Sequence, residues 1–299
     1  MRKLFPVVLL LLLAAALYLF LNRGPHTPAE LASYLPNKDG TLLYADVDAM
    51  RRSGVLSVLA GAKAAEDTDY KDFVQQTGFD YRHDLDRLAA TFRGGQVFFV
   101  VQGRFDWDKF AAYALKHGGS CKSHYCVTDS STPRRRVSFY KLGSRLMGLA
   151  ISPDDMAAYQ VTRNASKANP FTPDAPVWML VPPAVLKDQD ALPAGLRSFA
   201  LAMQGADRVV LAIAPEADHL KLVLDVRCPS VDSASALLVQ LESTTNMLRK
   251  LLQREHQEPN PADLSGVLVA GTFQRDDRRV LGSWPIQKVF VDAIAGGGR

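Results

Sequence analysis

The chain has 299 residues, enough for one large domain or two of ordinary size, and its 47% hydrophobic and 22% charged content is that of a folded chain rather than a disordered one. Three cysteines exclude a disulfide-dense miniature scaffold, and 17 Pro with 20 Gly exclude a collagenous or low-complexity chain. The net charge of +4 is concentrated at the N-terminus, where Arg2, Lys3 and Arg23 stand without an acid; the remainder is nearly balanced, which argues against nucleic acid as a partner.

Residues 4–21 are an uncharged run of 18, LFPVVLLLLLAAALYLFL. At about 1.5 Å per residue a helix of that length reaches about 27 Å, close to the hydrocarbon thickness of a bilayer. Pro6 falls in the first turn, where a missing N–H is tolerated, and Tyr18 and Phe20 fall near the far interface. The run predicts a transmembrane signal-anchor with the lipid bilayer as partner. The basic residues before it predict a cytoplasmic N-terminus, with residues 24–299 periplasmic or otherwise extracytoplasmic. A cleaved signal peptide is the competing reading; Ala14-Ala15-Ala16 suits cleavage, but residues 17–21 carry the apolar run past it.

Beyond the anchor, residues 41–47 read as a strand and 55–77 as helical material. Residues 88–92 and 96–102 form a hairpin around Arg93-Gly94-Gly95; Val97-Phe98-Phe99-Val100-Val101 is apolar on both faces, as a central strand would be. A helix follows over 106–115, with Asp106 as N-cap and Phe105 stapled to Phe110. In Cys121-Lys122-Ser123-His124-Tyr125-Cys126, a two-residue turn at Ser123-His124 would oppose the two cysteines across a hairpin at a spacing that suits a disulfide. Zinc on Cys121, His124 and Cys126, or free thiols, are the alternatives; no second ligand pair elsewhere completes a zinc site. Residues 136–141 and 146–151 pair around Gly143-Ser144, and 153–161 close the half as a helix.

The second half repeats the order. Residues 177–181 read as a strand, 193–203 as a helix, and 208–214 pairs with 220–227. A long helix over 230–254 carries a stripe of Ala234, Leu237, Leu238, Leu241, Leu248 and Leu252, to be buried on a sheet or used as a partner seam. Residues 266–273 and 279–281 pair around Asp276-Asp277, and a helix starts near Pro285. Cys228 ends a strand-like run and reads as a small core residue. Both halves thus follow β-α-β-β-α-β-β-α. The expected fold is α+β: an N-terminal transmembrane helix followed by two related units with antiparallel sheets. The segments are an anchor over 1–23, a first domain over 24–163, a linker over 164–175 and a second domain over 176–299.

Tyr34-Leu35-Pro36 leading into Leu42-Leu43-Tyr44-Ala45-Asp46-Val47, the segment Thr77-Gly78-Phe79-Asp80-Tyr81 with Asp84-Leu85-Asp86, and Gly103-Arg104-Phe105-Asp106 together resemble a family of uncharacterised, N-terminally anchored bacterial envelope proteins with tandem α+β units of ferredoxin-like type. The resemblance covers most of residues 30–162 and the second half loosely. It implies an anchored architecture and carries no catalytic residues.

No nucleophile elbow, P-loop, dinucleotide fingerprint or H-E-x-x-H occurs, so no catalytic, cofactor-binding or metal residue is assigned. The densest polar cluster is His83, Asp84 and Asp86, an imidazole and two carboxylates within one turn; the alternative is turn-capping acids beside a solvated histidine. Arg134-Arg135-Arg136 could touch anionic headgroups or an acidic partner, or sit in a solvated loop. Trp107, Trp178 and Trp284 read as core before they read as a ligand cleft. Asn164-Ala165-Ser166 matches a glycosylation sequon. These features predict a membrane-anchored extracytoplasmic interaction or binding module without catalytic activity, with an envelope protein as partner. A small-molecule or lipid sensor using the cleft between the halves is the alternative, and a hydrolase centred on His83, Asp84 and Asp86 the second alternative.

Overall fold

The structure, a computed structural model, describes residues 26–36, 40–56, 68–130, 134–162, 172–183, 185–187, 194–216 and 219–295. The first described helix, α1 (Pro28–Ser33), shows how local chemistry sets a boundary. Thr27 accepts from the Glu30 N–H at 3.2 Å, Glu30 accepts from the Thr27 N–H at 2.8 Å, and Pro28 occupies the first turn without losing a hydrogen bond. Then follow β1 (Thr41–Asp46), α2 (Val47–Arg52), α3 (Thr68–Thr77), α4 (Tyr81–Asp84), β2 (Leu85–Arg93), β3 (Gln96–Gly103), α5 (Trp107–Lys116), β4 (Ser120–Lys122), β5 (Tyr125–Asp129), β6 (Arg136–Gly143) and β7 (Leu146–Ser152). The second half contains β8 (Val177–Val181), α6 (Ala194–Ala202), β9 (Arg208–Glu216), β10 (His219–Arg227), α7 (Val231–Arg254), α8 (Leu264–Val269), β11 (Thr272–Asp276), β12 (Arg279–Ile286) and α9 (Lys288–Ala295).

All these strands join one antiparallel sheet of twelve, in the order β11-β12-β10-β9-β8-β1-β2-β3-β7-β6-β5-β4. This corrects the expectation of two units each with its own sheet. β1 and β8, the first strands of the two halves, pair with each other through Leu42–Leu180, Leu43–Met179, Tyr44–Trp178 and Ala45–Val177. Outward from that pair the order is mirrored: β1-β2-β3-β7-β6 on one side answers β8-β9-β10-β12-β11 on the other, and the first half adds β5 and β4. One row of directly opposed residues runs from Thr272 through Ala212, Trp178, Tyr44 and Val100 to Lys122, crossing every strand.

The expected transmembrane helix needs correction as well. Among the described residues no helix is long and apolar enough to cross a membrane, and the segment 4–21 lies outside those residues. The 24-residue α7 has the length but carries Asp232, Glu242, Arg249, Lys250 and Arg254 on its outer sides. The single-pass placement, with residues 24–299 extracytoplasmic, rested on that helix and is withdrawn with it. The sequon at Asn164, most of the 164–175 linker and the middle of the expected 55–77 helix also lie outside the described residues.

The two faces of the sheet are covered differently. On the face that carries Tyr44 and Trp178, Leu31 and Leu35 from the α1 region and Ala157 and Ala158 from a 3-10 turn (Ala157–Gln160) bury Ala89, Val100 and Ala150. That single turn replaces the expected helix over 153–161. On the same face, the second half carries Lys221, Asp225, Arg227 and Arg279; the buried Asp225 is held by Arg279 at 2.7 and 3.3 Å. The opposite face is helix-covered. α2, α6, α7 and α8 pack Met50, Phe199, Leu237, Leu241 and Leu268 onto Val209, Leu224, Val280 and Trp284, while α5 packs Phe110 and Ala114 onto Cys126, Phe139 and Met147. In α7, Ala234, Leu237 and Leu241 of the expected stripe are buried, and Leu238, Leu248 and Leu252 are half-buried.

Residues 266–269, expected as strand, belong to α8. Asp263 caps it by accepting from the Gly266 N–H at 3.1 Å, and Val267, Leu268 and Val269 are all buried. A short apolar run fits either element, and the cap decides. The cysteine hairpin has the expected turn: Cys121 opposes Cys126 in register and is joined to it, with Cα atoms 4.1 Å apart and Ser123 at φ 55°. Gly119 permits its approach to α5, because a Cβ there would lie 2.6 Å from the Ala114 carbonyl oxygen.

Two stability experiments follow from this packing. Trp178→Ala is expected to lower the free energy of urea unfolding by about 3–5 kcal/mol, the cost of a large cavity in a core that collapses incompletely. Replacing Cys121 and Cys126 by serine together is expected to cost only about 2 kcal/mol, since the bond closes a short loop. Reductant should reproduce that loss in the unmodified chain.

Candidate functional site

The pairing of β1 with β8 places a concavity at the seam of the two halves, on the face that carries Tyr44. Tyr44 and Trp178 stack across the strand pair with ring centroids 5.5 Å apart, and both are buried. Two residues further along β1, the Asp46 backbone N–H donates to the Pro176 carbonyl at 2.7 Å, which ties the chain entering β8 to the end of β1. The Asp46 side chain has two tasks. One oxygen caps α2 by accepting from the Ala49 N–H at 2.8 Å; the other accepts from Arg87 Nε at 3.0 Å. Arg87 is the residue opposite Asp46 in the register of β1 with β2, so the sheet itself sets the ion pair.

Both members of that pair are largely buried, with side chains 14% and 17% exposed, so each neutralises a charge the other would leave stranded. Burial, reinforced by the neighbouring Asp46 carboxylate, pushes the Tyr44 hydroxyl up to about 12. Around this floor lies a cleft of about 540 Å³, bounded by His26 and Pro28 at the α1 end, Ala49 on α2, and Pro176 and Pro215 on the second half. Its walls are mainly apolar and its floor is polar, the usual division of a small-molecule site.

The sequence cluster is arranged differently. Asp84 accepts from the Asp80 N–H at 3.0 Å and from Arg104 Nε at 3.1 Å, whereas Asp86 pairs with Arg145 at 2.7 Å. Each carboxylate has its own arginine, and His83 is exposed at the end of α4. Beside them, Asp80 is bound by Arg82 at 2.6 Å and by the Tyr70 hydroxyl at 2.8 Å; Arg82 holds its carboxyl well below the usual range. Among the described residues no group of three or more His, Cys, Asp or Glu is placed to hold a metal ion. Cys121 and Cys126 are bonded to each other, and burial raises the Cys228 thiol. Tyr44, Asp46 and Arg87 were not singled out from sequence. The one local trace was Asp46 at a strand end, while its partner stands 41 residues away.

No family model matches the chain, and no curated protein matches it either. Among solved structures the fold is similar to that of TP0453: crystal form I gives a TM-score of 0.51 at 9% identity over 89% of this chain and 96% of that one. Crystal form III gives 0.51 at 8% identity over 88% and 97%. At such identity the likeness is one of fold alone.

The raised Tyr44 hydroxyl gives the site a signature in alkali. Folding keeps the phenol neutral, so the stability this contributes is complete below the ordinary tyrosine value near 10 and is lost as pH rises through about 12. Urea unfolding measured across that interval should show the decline in the unmodified chain and a shallower one in Tyr44→Phe.

Proposed function

We propose that the chain is a non-catalytic binding module whose seam cleft takes a small amphipathic molecule. The reading rests on one observation: a concavity whose walls are mainly apolar, with His26 and Asp174 among them, surrounds a fixed polar floor of Tyr44, Asp46 and Arg87. An apolar ligand body would meet Pro28, Pro176 and Pro215, and a polar end would exchange hydrogen bonds with the floor. Because Asp46 is bonded to both Arg87 and the Ala49 N–H, the floor is preorganised for recognition and holds no nucleophile beside a base.

A second reading, docking of a protein partner, is favoured by α7, which leaves Val239 64% and Met247 73% exposed. The two readings separate experimentally. Ala49→Trp places an indole in the cleft, whereas Met247→Glu alters α7 alone. With the full chain presented to a panel of amphipathic small molecules, native mass spectrometry should retain an adduct, which Ala49→Trp reduces at least about tenfold and Met247→Glu leaves intact. Absence of any retained molecule, or retention unchanged by Ala49→Trp, rejects the cleft.

A further inference from the structure

A second concavity, sharing no residue with the seam cleft, lies where β5 ends, β6 begins and β7 runs out. It measures about 550 Å³ and is lined by Asp129, Ser130, Arg134, Arg135, Arg136, Pro153 and Asp155. The register explains how three consecutive arginines come to surround one space. Arg136, the first residue of β6, stands between Asp129 on β5 and Ser152 on β7, so its guanidinium is turned onto the strand ends. There it pairs with Asp129 at 3.1 Å and reaches Asp155 at 3.8 Å.

That pairing uses both carboxylates of the cleft on one arginine. Arg134 and Arg135 have no hydrogen-bond or ion-pair partner among the described residues, although both line the cavity. Arg135 lies across the β2–β3 turn, where a Cβ on Gly95 would be 3.7 Å from its guanidinium nitrogen. Arg134 has φ 62°, in the left-handed region that residues other than glycine enter at a cost. An anion held in the cleft would offset that conformation by pairing with the guanidinium. Two unpaired guanidiniums and a third already oriented form a donor set with an excess of positive charge; tetrahedral oxyanions suit such forks because each guanidinium can donate two parallel hydrogen bonds.

We propose that this cleft is a binding site for a phosphate group, with Arg134 and Arg135 as its ligands and Arg136, fixed by Asp129 and Asp155, as the third wall. The phosphate arises either free or esterified in solution, or as a lipid headgroup, and the chemistry of recognition is the same for both.

The test uses the full chain and two probes. In thermal unfolding, inorganic phosphate should raise the midpoint saturably over chloride of equal ionic strength. Arg134→Ala with Arg135→Ala should weaken that response about tenfold or more. Arg134→Gly separates a binding role from a structural one: it should raise the midpoint without phosphate, since glycine adopts positive φ freely, and lower the phosphate response. In co-sedimentation, vesicles of phosphatidylcholine with phosphatidic acid should be bound where phosphatidylcholine alone is not, and the double variant should lose that binding, if the headgroup is the source. A response to either probe that the double variant abolishes supports the site and names its source. A chain that responds to neither probe, or a double variant that responds as strongly as the unmodified chain, overturns it.

Discussion

The pairing of β1 with β8 is the interaction on which the rest of the molecule depends. Each half brings a strand whose other edge is already taken, β1 by β2 and β8 by β9, so the seam completes the hydrogen bonding of both. The side chains follow suit. Tyr44 and Trp178 lie in the same buried cluster as Leu31 from one half and Ala212 from the other, so the apolar core of this face runs straight across the join. On the opposite face, α2 of the first half packs into the core of the second through Val47 and Met50. Both layers therefore cross the seam.

The cleft arises from an inequality between the halves. On the Tyr44 face the first half is roofed by the α1 region and the 157–160 turn, whereas the corresponding stretch of the second half presents Lys221, Arg227 and Arg279. Where the roof stops, the surface steps down to the sheet, and Asp46 stands at the step. Its backbone holds β8, its carboxylate starts α2, and its second oxygen holds Arg87. One side chain thus couples the end of a strand, the start of a helix and the polarity of the site.

Much of the local structure was legible from residue patterns. Asp106 as a cap with Phe105 against Phe110, the Gly94-Gly95 turn, the paired cysteines and the start of the long helix at Ser230 all follow from interactions within a few residues. What escaped was set by distance or by competition. The partner of β1 stands more than 130 residues away, and an apolar strand such as Val177–Val181 looks the same whether its edge meets its own half or the other. The apolar run after Asp263 satisfied two periodicities at once. The floor of the cleft left only Asp46 as a trace, because Arg87 reaches Tyr44 and Asp46 only through strand register, while His83, Asp84 and Asp86 looked like a site because they are adjacent in sequence.

Joining two sheets at their apolar edges also redistributes risk. Thr41–Asp46 and Val177–Val181 are uncharged until Asp46 and rich in residues that favour extended chain, the composition of segments that template association when bared. In the closed molecule each hides the other. If the seam were to part, each half would present a sticky edge whose natural complement is carried by every other copy of the same chain. The join would then form between molecules as well as within one, giving exchanged dimers in which β1 of one copy completes β8 of the next. The connection through residues 163–176 sets the balance, because its length fixes the local concentration at which a chain meets its own second half.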